Sequence, residues 1–453
     1  MNEQVDVVVV GLGPGGEYVA GTLAEAGLDV LGVEAGLVGG ECPYWGCVPS
    51  KMMIRAGNLL AEARRAPALA GHVDVTPDWT RVAGRVRGEA TDDWNDQVAA
   101  DRLTAKGGRL VRGTGRLGGP RRVTVGDRTF EARRGVVLAT GSRPRIPPVP
   151  GLAGTPYWTN REAMATKDLP ASMVVLGGGA IGVEVAQVFA RFTCRVTVIE
   201  GQERLLSQEE PEAGEFAAKA LRADGVTVLT GVRARQVSHD GSEFTVLLDG
   251  SAEPLRAERL LVATGRHVEL AGLGVETVGL DPAANSVRTD GQMRAGEGLW
   301  AVGDITGRGA FTHVSMYQAQ IAVRDILGSP GPDADYRALP RVTFTDPEIG
   351  AVGLTERQAR DRGLRVRTAV LPNASSTRGW IHGPGGEGFV KLVEDADRGV
   401  LVGATSAGPA GGELLYGLNV AVHAQVPVER LRHMIYTYPT FHRAVEPALA
   451  ALR

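Results

Sequence analysis

The chain has 453 residues, of which 43% are hydrophobic and 22% are charged, and its formal net charge is -3. This length exceeds that of one ordinary core, so we expect two or three domains. The small net charge gives no reason to expect nucleic acid or a membrane as a partner. No apolar run approaches the roughly 20 residues of a membrane span. Three cysteines do not make a disulfide scaffold, which favours the reducing cytoplasm as the compartment.

The first predicted element is a buried parallel strand that leads into a glycine-rich turn and a helix. In "VDVVVVGLGPGG" the valine run is typical of such a strand, and Gly11, Gly13 and Gly16 complete a G-x-G-x-x-G pattern. The glycines permit a tight turn, a close approach of the backbone to a pyrophosphate, and close packing of helix on strand. Glu34, 23 residues after Gly11, ends the next strand, where a carboxylate can bind a ribose hydroxyl. Because the strand begins almost at once, we expect no signal peptide.

Two cysteines, Cys42 and Cys47, lie close together in "GGECPYWGCVPSK", residues 39–51. Pro49 fits only the first turn of a helix, so we expect a helix to begin near Cys47. A thiol at a helix N-terminus has a lowered pKa, and Lys51 adds positive charge one turn later. The pattern favours redox chemistry. The alternatives are ordinary core cysteines and a zinc site, for which only two ligands are present here.

The dinucleotide-binding pattern returns in "SMVVLGGGAIGVEVAQVFARFTCRVTVIEG". Gly177, Gly179 and Gly182 form the second loop, and Glu200 ends the following strand, again 23 residues after the first glycine. One such pattern is weak evidence, but two copies with an acid at the same spacing predict two bound dinucleotides. Cys194, inside this stretch, is predicted to be a core residue.

Three strand ends complete the predicted nucleotide sites. "GVVLATG" and "RLLVATG" are similar buried strands that end at Gly141 and Gly265. In "GLWAVGDITGRGAFTHVS" a strand ends beside Asp304, and a helix is predicted to begin near Thr312. A carboxylate at the carboxyl end of a strand can accept a hydrogen bond from a cofactor hydroxyl. The alternative is an ordinary loop or N-cap aspartate.

Together the motifs GLGPGG, GGECPYWGCVPSK, ATGSRP, GGGAIGVE, ATGR and AVGDIT resemble those of the class I FAD-dependent pyridine nucleotide–disulfide oxidoreductases. This family includes dihydrolipoamide dehydrogenase, glutathione reductase and mercuric reductase. "RVTFTDPEIGAVGLTERQAR" and "EGFVKLVED" are similar to its C-terminal interface domain. The resemblance implies an α/β fold with two Rossmann-like domains and an α+β dimerisation domain. The predicted domains are FAD-binding (residues 1–150 and 286–335), NAD(H)-binding (151–285) and interface (336–453).

The resemblance assigns FAD to the first fold and a nicotinamide dinucleotide to the second. It implies that Glu34 holds the adenosine ribose of FAD and that Asp304 holds its ribityl chain. Further FAD contacts implied by the match are Gly40, Lys51, Gly115, Thr140, Gly141, Ser142, Thr312 and His313. Glu200 favours NADH over NADPH, because a carboxylate repels a 2′-phosphate. The relatives that use NADPH carry arginines at the positions of Glu200 and Leu206, and Arg204 lies nearby.

The resemblance also gives the cysteines separate roles in a reversible disulfide. Cys47 matches the thiol that contacts the flavin, and Cys42 matches the thiol that faces the substrate. Lys51 and Glu184 match a pair near flavin N5, although a purely structural salt bridge is an alternative. Pro43, Tyr44 and Trp45 replace the smaller, more polar residues that are usual in the family, which predicts a bulkier substrate mouth.

One family motif is broken. The family's disulfide reductases end in His-Pro-Thr-x-x-Glu, supplied by the partner subunit, whose histidine exchanges a proton with the substrate-facing thiol. In "IYTYPTFHRAVEPALAALR", Tyr438 takes the histidine position and Arg443 the glutamate position, while His442 and Glu446 lie out of register. Mercuric reductases carry tyrosine there, but they also use a C-terminal cysteine pair that this chain lacks. Either Tyr438 or His442 could replace the missing base.

We therefore expect a homodimeric oxidoreductase that passes electrons from NADH through FAD to a Cys42–Cys47 disulfide and on to a small-molecule acceptor. No metal site is predicted. One alternative keeps the fold but reduces quinones, metal ions or oxidants, or runs in reverse as a dithiol oxidase. An alternative of another class is a redox-sensing protein that binds flavin and NAD without turnover.

Overall fold

The computed structural model describes residues 2–453. The chain forms two compact units, each assembled from three separate stretches of sequence. The first unit comprises Met1–Pro49, Gly84–Arg145 and Arg266–Asp335. The second comprises Ser50–Ala83, Ile146–Gly265 and Tyr336–Arg453.

The described residues form 22 β-strands. In chain order they are β1 (Asn2–Val10), β2 (Val30–Glu34), β3 (Arg109–Arg112), β4 (Gly115–Leu117), β5 (Arg122–Val125), β6 (Arg128–Leu138), β7 (Arg143–Pro144), β8 (Ser172–Leu176), β9 (Arg195–Glu200), β10 (Thr227–Thr230), β11 (Ala234–His239), β12 (Phe244–Leu248), β13 (Leu255–Ala257), β14 (Arg259–Val262), β15 (Arg266–His267), β16 (Arg294–Gly296), β17 (Leu299–Ala301), β18 (Pro340–Thr343), β19 (Glu348–Gly353), β20 (Val366–Pro372), β21 (Phe389–Asp395) and β22 (Val400–Gly408).

Over the same residues the structure has 14 α-helices. They are α1 (Pro14–Glu25), α2 (Glu41–Tyr44), α3 (Cys47–Arg65), α4 (Trp79–Arg85), α5 (Gln97–Ala105), α6 (Asn160–Ala165), α7 (Ala180–Arg191), α8 (Pro211–Ala223), α9 (Thr312–Ile326), α10 (Glu356–Asp361), α11 (Thr377–His382), α12 (Gly411–His423), α13 (Val428–Arg432) and α14 (Val445–Ala450). A π-helical turn, Val86–Ala90, follows α4 directly.

The first unit is built on one sheet with the order β16-β17-β6-β1-β2-β3, to which β4 and β5 are added beside β6. Successive residues of a strand face opposite sides of a sheet, and here both sides are covered. Val7 and Val9 pack in a core with residues of α1 and α9. Val8 and Val10 belong to a second core that includes residues of β2 and β5. Burial on both faces explains why the strand is an uninterrupted run of valines.

The second unit contains three sheets. The first is parallel with the order β10-β9-β8-β14, the second is a three-stranded antiparallel sheet β11-β12-β13, and the third has the order β18-β19-β22-β21-β20 with every pair antiparallel. Leu392 of the third sheet packs in a core with Leu415 of α12 and Leu449 of α14. The predicted α/β fold class is confirmed.

Of the three predicted domain boundaries, those after residues 150 and 335 lie within five residues of a unit boundary, and the one after residue 285 does not. Residues 50–83, which belong to the predicted FAD-binding domain, also lie in the second unit. The second unit ends its middle stretch at Gly265, whereas residues 266–285 were assigned from the sequence to the NAD(H)-binding domain. Within that range Leu270 and Val275 are buried in the core of the first unit with Val8. Nothing in the sequence marks this boundary. The chain passes from the second unit to the first at β15, which pairs with β7. The four-part domain assignment stays a prediction.

A short segment of the first unit has an unusual backbone. Asp92, Asp93 and Trp94 have φ angles of +47°, +56° and +57°, so three consecutive residues other than glycine adopt the left-handed conformation. This conformation costs an L-amino acid roughly 1–2 kcal/mol per residue. The hydroxyl of buried Thr91 supports the turn, since it donates to the carbonyls of Val86 and Arg87, each at 3.1 Å.

A buried arginine forms ion pairs and a hydrogen bond with several elements of the second unit. Arg191, at the end of α7, is only 2% exposed. Its guanidinium contacts carboxylate oxygens of Asp224 at 3.0 Å and Asp346 at 2.8 Å, and it donates to Asn58 Oδ1 at 2.8 Å. Arg65 reaches the same Asp346 at 2.7 Å. A buried charge needs such partners, because taking it out of water is costly.

Candidate active site

The glycine loop after β1 is shaped by close backbone contacts. A Cβ on Gly11 would lie 2.5 Å from the carbonyl oxygen of Ala139, and one on Gly16 would lie 2.0 Å from that of Gly11. Neither position can hold a side chain. Gly13 is different: it is the N-cap of α1 and has no atom nearer than 4.0 Å to the place of a Cβ. The loop therefore leaves open space in front of the N-terminus of α1, where backbone N–H groups and the helix dipole favour a phosphate.

Glu34 stands at the end of β2 beside this loop. Its Oε2 accepts a hydrogen bond from the backbone N–H of Leu12 at 2.6 Å, and its Oε1 accepts one from Gly36 at 2.7 Å. The carboxylate is thus fixed by the backbone, and the remaining lone pairs can accept hydrogen bonds from a ligand hydroxyl. This arrangement fits the ribose of a dinucleotide.

The second unit repeats this geometry residue for residue. A Cβ on Gly177 would lie 2.4 Å from the carbonyl oxygen of Ala263, and one on Gly182 would lie 2.0 Å from that of Gly177. Glu200 accepts hydrogen bonds from Gly178 and from the residue two positions after itself, both at 2.7 Å. Gly179, the N-cap of α7, again has open space beside it.

The charge and burial of the residues near Glu200 affect which dinucleotide can bind there. Arg204 donates to the carbonyl oxygens of Ser207 at 3.1 Å and Glu209 at 3.2 Å, so its charge is engaged with the local backbone. Leu206 is buried. The charged group fixed at the strand end is therefore a carboxylate.

A third group of polar residues gathers at the carboxyl ends of β6 and β17. Ser142 Oγ donates to Asp304 Oδ2 at 2.5 Å, and Arg266 Nε donates to Ser142 Oγ at 2.8 Å. The Arg266 guanidinium is also 3.6 Å from a carboxylate oxygen of Glu41. Beside them the hydroxyl of Thr140 is buried and has no hydrogen-bond partner within residues 2–453. An unsatisfied buried hydroxyl is unusual, and it fits a site that binds a polar cofactor such as FAD.

The other predicted FAD contacts lie at the ends of elements in the first unit. Gly40 is the N-cap of α2 and His313 is the second residue of α9, where its ring stacks on Phe311 at 5.2 Å. Gly115 begins β4 and Gly141 follows β6, while Gly265 follows β14 in the second unit.

The two cysteines lie together at the start of α3. Cys47 is the first residue of this helix, and Cys42 lies on the single turn α2 just before it. Their side chains are hydrogen-bonded to each other, and Cys47 Sγ lies 3.5 Å from Thr312 Oγ1 at the start of α9. The hydrogen bond with Cys47, together with burial, raises the pKa of Cys42 well above its usual value. Cys42 therefore holds its proton more tightly than an ordinary thiol.

Cys194 has a different environment. It is buried, and burial raises its pKa to about 12. A protonated thiol in an apolar core is unreactive, which agrees with the predicted core role.

Lys51 and Glu184 form an ion pair within the second unit. Lys51 Nζ lies 2.8 Å from Glu184 Oε2, and it also lies 4.5 Å from the centre of the Phe344 ring. Glu184 Oε1 accepts a hydrogen bond from the backbone N–H of Phe344 at 2.8 Å. Both carboxylate oxygens are thus occupied, and the ammonium group is held in one position.

The C-terminal segment places Tyr438 at the surface. Its side chain is 63% exposed, and its hydroxyl donates weakly to Thr377 Oγ1 at 3.4 Å. Arg443 lies 5.6 Å from the centre of the Tyr438 ring and pairs with Glu446 at 2.8 Å. The residues at the dyad positions are therefore a phenol and a guanidinium, and the guanidinium is paired with Glu446 rather than with an imidazole.

His442 lies in a less exposed place in the same segment. It is half-buried, and burial lowers its pKa, although a hydrogen bond with the backbone of Leu414 opposes this shift. The ring borders a cleft of about 510 Å³ whose lining includes Arg378 and Glu413. A neutral imidazole can act as a base, so His442 remains a candidate for proton transfer.

Residues 2–453 contain neither a metal-ligand cluster nor a membrane-spanning helix. In that range no group of three or more His, Cys, Asp or Glu side chains is arranged to hold a metal ion. None of the helices there has both the length and the apolar character needed to cross a membrane.

Comparison with known proteins identifies the family. Residues 5–324 match the family model described as pyridine nucleotide-disulphide oxidoreductase, and residues 339–449 match the dimerisation domain of the same family. The chain belongs to this family. It is 34% identical over 459 residues to the dihydrolipoyl dehydrogenase of Chlorobaculum tepidum, with 98% of this chain and 96% of the relative covered.

Two further relatives show the breadth of the family. The mercuric reductase of Acidithiobacillus ferrooxidans is 32% identical over 449 residues, covering 97% of this chain and 81% of the relative. The Cu(II) complex of the HOCl-induced flavoprotein disulfide reductase RclA from Escherichia coli matches with a TM-score of 0.86 at 26% identity, covering 99% of both chains. As a pyridine nucleotide–disulphide oxidoreductase, the protein is an FAD-dependent enzyme that uses NAD(P)H.

Some residues of the candidate site have no sequence signal. Arg266 is an example, since nothing in "ATGRHVE" distinguishes a guanidinium that supports Ser142 from one on the surface. The contact of Thr312 with Cys47 was likewise not predicted, although Thr312 was expected near the flavin. Both contacts join segments far apart in the chain.

The raised pKa of Cys42 generates the first prediction. In the reduced protein, we expect alkylation of Cys42 by iodoacetamide to rise about tenfold per pH unit and to keep rising beyond pH 9, because only the thiolate reacts. Peptide mass spectrometry after timed labelling measures the rate at each cysteine.

The matched variant for this experiment is Cys47→Ser. It removes the neighbouring sulfur whose hydrogen bond is the main cause of the raised pKa, so Cys42 should react at least about tenfold faster at pH 7. A wild-type rate that levels off near pH 8.5 would show that Cys42 has an ordinary pKa.

Proposed function

We propose that this oxidoreductase uses NADH and FAD to reduce a Cys42–Cys47 disulfide, which then reduces a small acceptor. The observation that carries the proposal is the arrangement of the cysteines. Cys47 begins a 19-residue helix, Cys42 is hydrogen-bonded to it, and the pKa of Cys42 is raised. A helix N-terminus favours the thiolate at Cys47, so the two cysteines suit two different roles, one as the stable thiolate and one as the thiol that exchanges with the acceptor.

FAD, when bound, supplies the two-electron chemistry that links NADH to the disulfide. The chain's own residues hold the reactants. Glu34 and Asp304 provide acceptors for hydroxyl groups of FAD, and Glu200 provides them for the ribose of NADH. The ion pair of Lys51 with Glu184 keeps a positive charge one helical turn after Cys47, where it favours the thiolate.

The residues of the C-terminal segment indicate which class of acceptor the enzyme reduces. Cys42 must lose its proton to attack a disulfide, but its pKa is raised. A tyrosine, with a reference pKa near 10, is a poor base at neutral pH. This favours acceptors that need no positioned base, such as quinones, metal ions or oxidants, over lipoamide or glutathione disulfide. The likeness to RclA, an HOCl-induced protein with a Cu(II) complex by its description, is compatible with such acceptors.

A redox sensor remains the alternative of another class. Sustained oxidation of NADH in the presence of an acceptor separates the two functions, because a sensor stops after one reduction. A screen of lipoamide, low-molecular-weight disulfides, quinones and Hg²⁺ identifies the acceptor class.

We propose that the working form is a homodimer. The residues matched to the dimerisation domain carry large apolar side chains that are exposed in the single chain. Ile435 is 99% exposed, Trp380 77% and Tyr416 72%. Exposed side chains of this size are typical of an interface. Sedimentation of the holoenzyme determines its oligomeric state.

The role of Cys47 gives the second prediction. On anaerobic titration with NADH, the yellow wild-type protein should develop a long-wavelength absorption band from contact of the Cys47 thiolate with the flavin. Cys47→Ser should abolish the band while the protein stays yellow, and Cys42→Ser should keep it. A band that survives in Cys47→Ser would mean that the two roles have been exchanged.

The third prediction concerns the coenzyme. We expect kcat/KM for NADH to exceed that for NADPH by at least about tenfold, which corresponds to ~1.4 kcal/mol, because Glu200 repels the 2′-phosphate. Glu200→Gln keeps the shape of the side chain and removes the charge, so it should narrow the preference. Equal efficiency with the two donors in the wild type would contradict the assignment.

The fourth prediction concerns the missing dyad. Wild-type activity on lipoamide and glutathione disulfide should be weak, and Tyr438→His combined with Arg443→Glu should raise it more than quinone reduction. General acid–base help is typically worth ~10²–10⁴-fold, so a partly aligned dyad is measurable by steady-state rates.

His442→Ala is the control for this experiment. If His442 already supplies the base, the wild type reduces disulfides well and His442→Ala loses that activity. Robust reduction of lipoamide by the wild type would refute our interpretation of the C-terminal segment.

A further inference from the structure

The left-handed turn at Asp92–Trp94 has a consequence for the loop that carries Cys42. The turn brings Trp94 against the residues between the two cysteines. Its ring stacks on that of Trp45, with centres 5.2 Å apart and planes inclined by 20°. Its indole N–H donates to the carbonyl oxygen of Tyr44 at 3.2 Å. A single side chain thus contacts two consecutive residues of the loop in two different ways.

Asp96 holds the other end of the same loop. Its Oδ2 accepts a hydrogen bond from the backbone N–H of Val38 at 2.6 Å. Arg112 donates to both carboxylate oxygens, at 2.6 and 2.8 Å, and to the carbonyl oxygen of Gly36 at 3.0 Å. Burial disfavours the charge on Asp96, but the hydrogen bonds from Arg112 and Val38 outweigh it and lower the pKa of the carboxyl group. Residues 94–96 therefore contact the loop at both ends, Asp96 at Val38 and Trp94 at residues 44–45.

Arg87 secures the turn from its other side. Its guanidinium lies 5.7 Å from the centre of the Trp94 ring and pairs with Asp93 at 2.5 Å. The strained backbone is consequently held by an ion pair, by the cation over the indole and by the hydroxyl of Thr91. Strain that is maintained in this way marks a position whose geometry matters.

The loop needs this external support. Cys42 lies on α2, a single turn of four residues whose N-cap, Gly40, makes no side-chain hydrogen bond. An isolated helix of one turn is unstable in water. The contacts from residues 94–96 fix it from outside, with the Cys42 side chain within hydrogen-bonding reach of Cys47.

We infer that Trp94 is a positioning residue for the redox pair, and that it keeps Cys42 close to Cys47 after their disulfide has been opened. This inference rests on the proposed function, in which the two cysteines cycle between dithiol and disulfide. Holding two thiols together raises the effective concentration of one at the other. The fixed loop therefore favours closure of the disulfide, and loss of Trp94 releases the reduced loop and favours the dithiol.

The test is the equilibrium of the holoenzyme with a buffer of reduced and oxidised dithiothreitol. In this exchange the S–S bond of the protein breaks, one forms in the reagent, and two electrons and two protons pass from reagent to protein. Anaerobic quenching, alkylation and peptide mass spectrometry give the fraction of Cys42 and Cys47 in each state.

We expect Trp94→Ala to shift this equilibrium toward the dithiol by about tenfold, which corresponds to about 30 mV in the reduction potential of the pair. Trp94→Phe keeps an aromatic ring but loses the hydrogen bond to Tyr44, so its shift should lie between that of Trp94→Ala and zero. It also provides a measurement if Trp94→Ala does not fold.

Trp300→Phe is the matched control, because Trp300 Nε1 makes a similar hydrogen bond, to Asp325 at 2.8 Å, in the same unit. It should leave the equilibrium unchanged. If Trp94→Phe and Trp300→Phe both show the wild-type equilibrium, or if both shift it equally, the positioning role is wrong. If the oxidised wild type yields no Cys42–Cys47 disulfide at all, the proposed function itself fails.

Discussion

The packing of α3 against α7 in the second unit depends on a buried positive charge. Arg191 joins α7, which carries Glu184, to Asn58 of α3 and to Asp346. Because a buried guanidinium is unfavourable without partners, these elements are constrained to one relative arrangement. The ion pair of Lys51 with Glu184 connects the same two helices seven residues earlier on each. The position of Lys51 is thus set by the packing of these two helices.

The sequence predicted the parts of the structure that are local. Two glycine loops, the acids Glu34 and Glu200, and the start of α3 at Cys47 all follow from residues close together in the chain, whose steric limits are strict. Gly16 and Gly182 show why: a Cβ at either would lie 2.0 Å from a carbonyl oxygen, so no other residue fits and the pattern can be recognised.

Contacts between distant segments could not be predicted in the same way. Trp94 lies some fifty positions after the cysteine loop in the sequence. The left-handed turn that positions its side chain contains no glycine, so the sequence does not predict the turn. Arg266 and Arg191 are similar cases, because an arginine in the sequence gives no sign of whether it is buried. The boundary of the second unit after Gly265 likewise has no signal in the sequence, since the strand β15 that follows it has only two residues.

The double hydrogen bonding of Glu34 and Glu200 matters for protein engineering. Each carboxylate receives two backbone N–H groups and thereby closes its own glycine loop. Exchanging Glu200 for a small or basic residue would leave two backbone N–H groups without their acceptor, that of Gly178 in the loop and that of Gln202 after the strand. A substitution at position 200 is therefore best combined with changes in the loop, so that these groups find other acceptors.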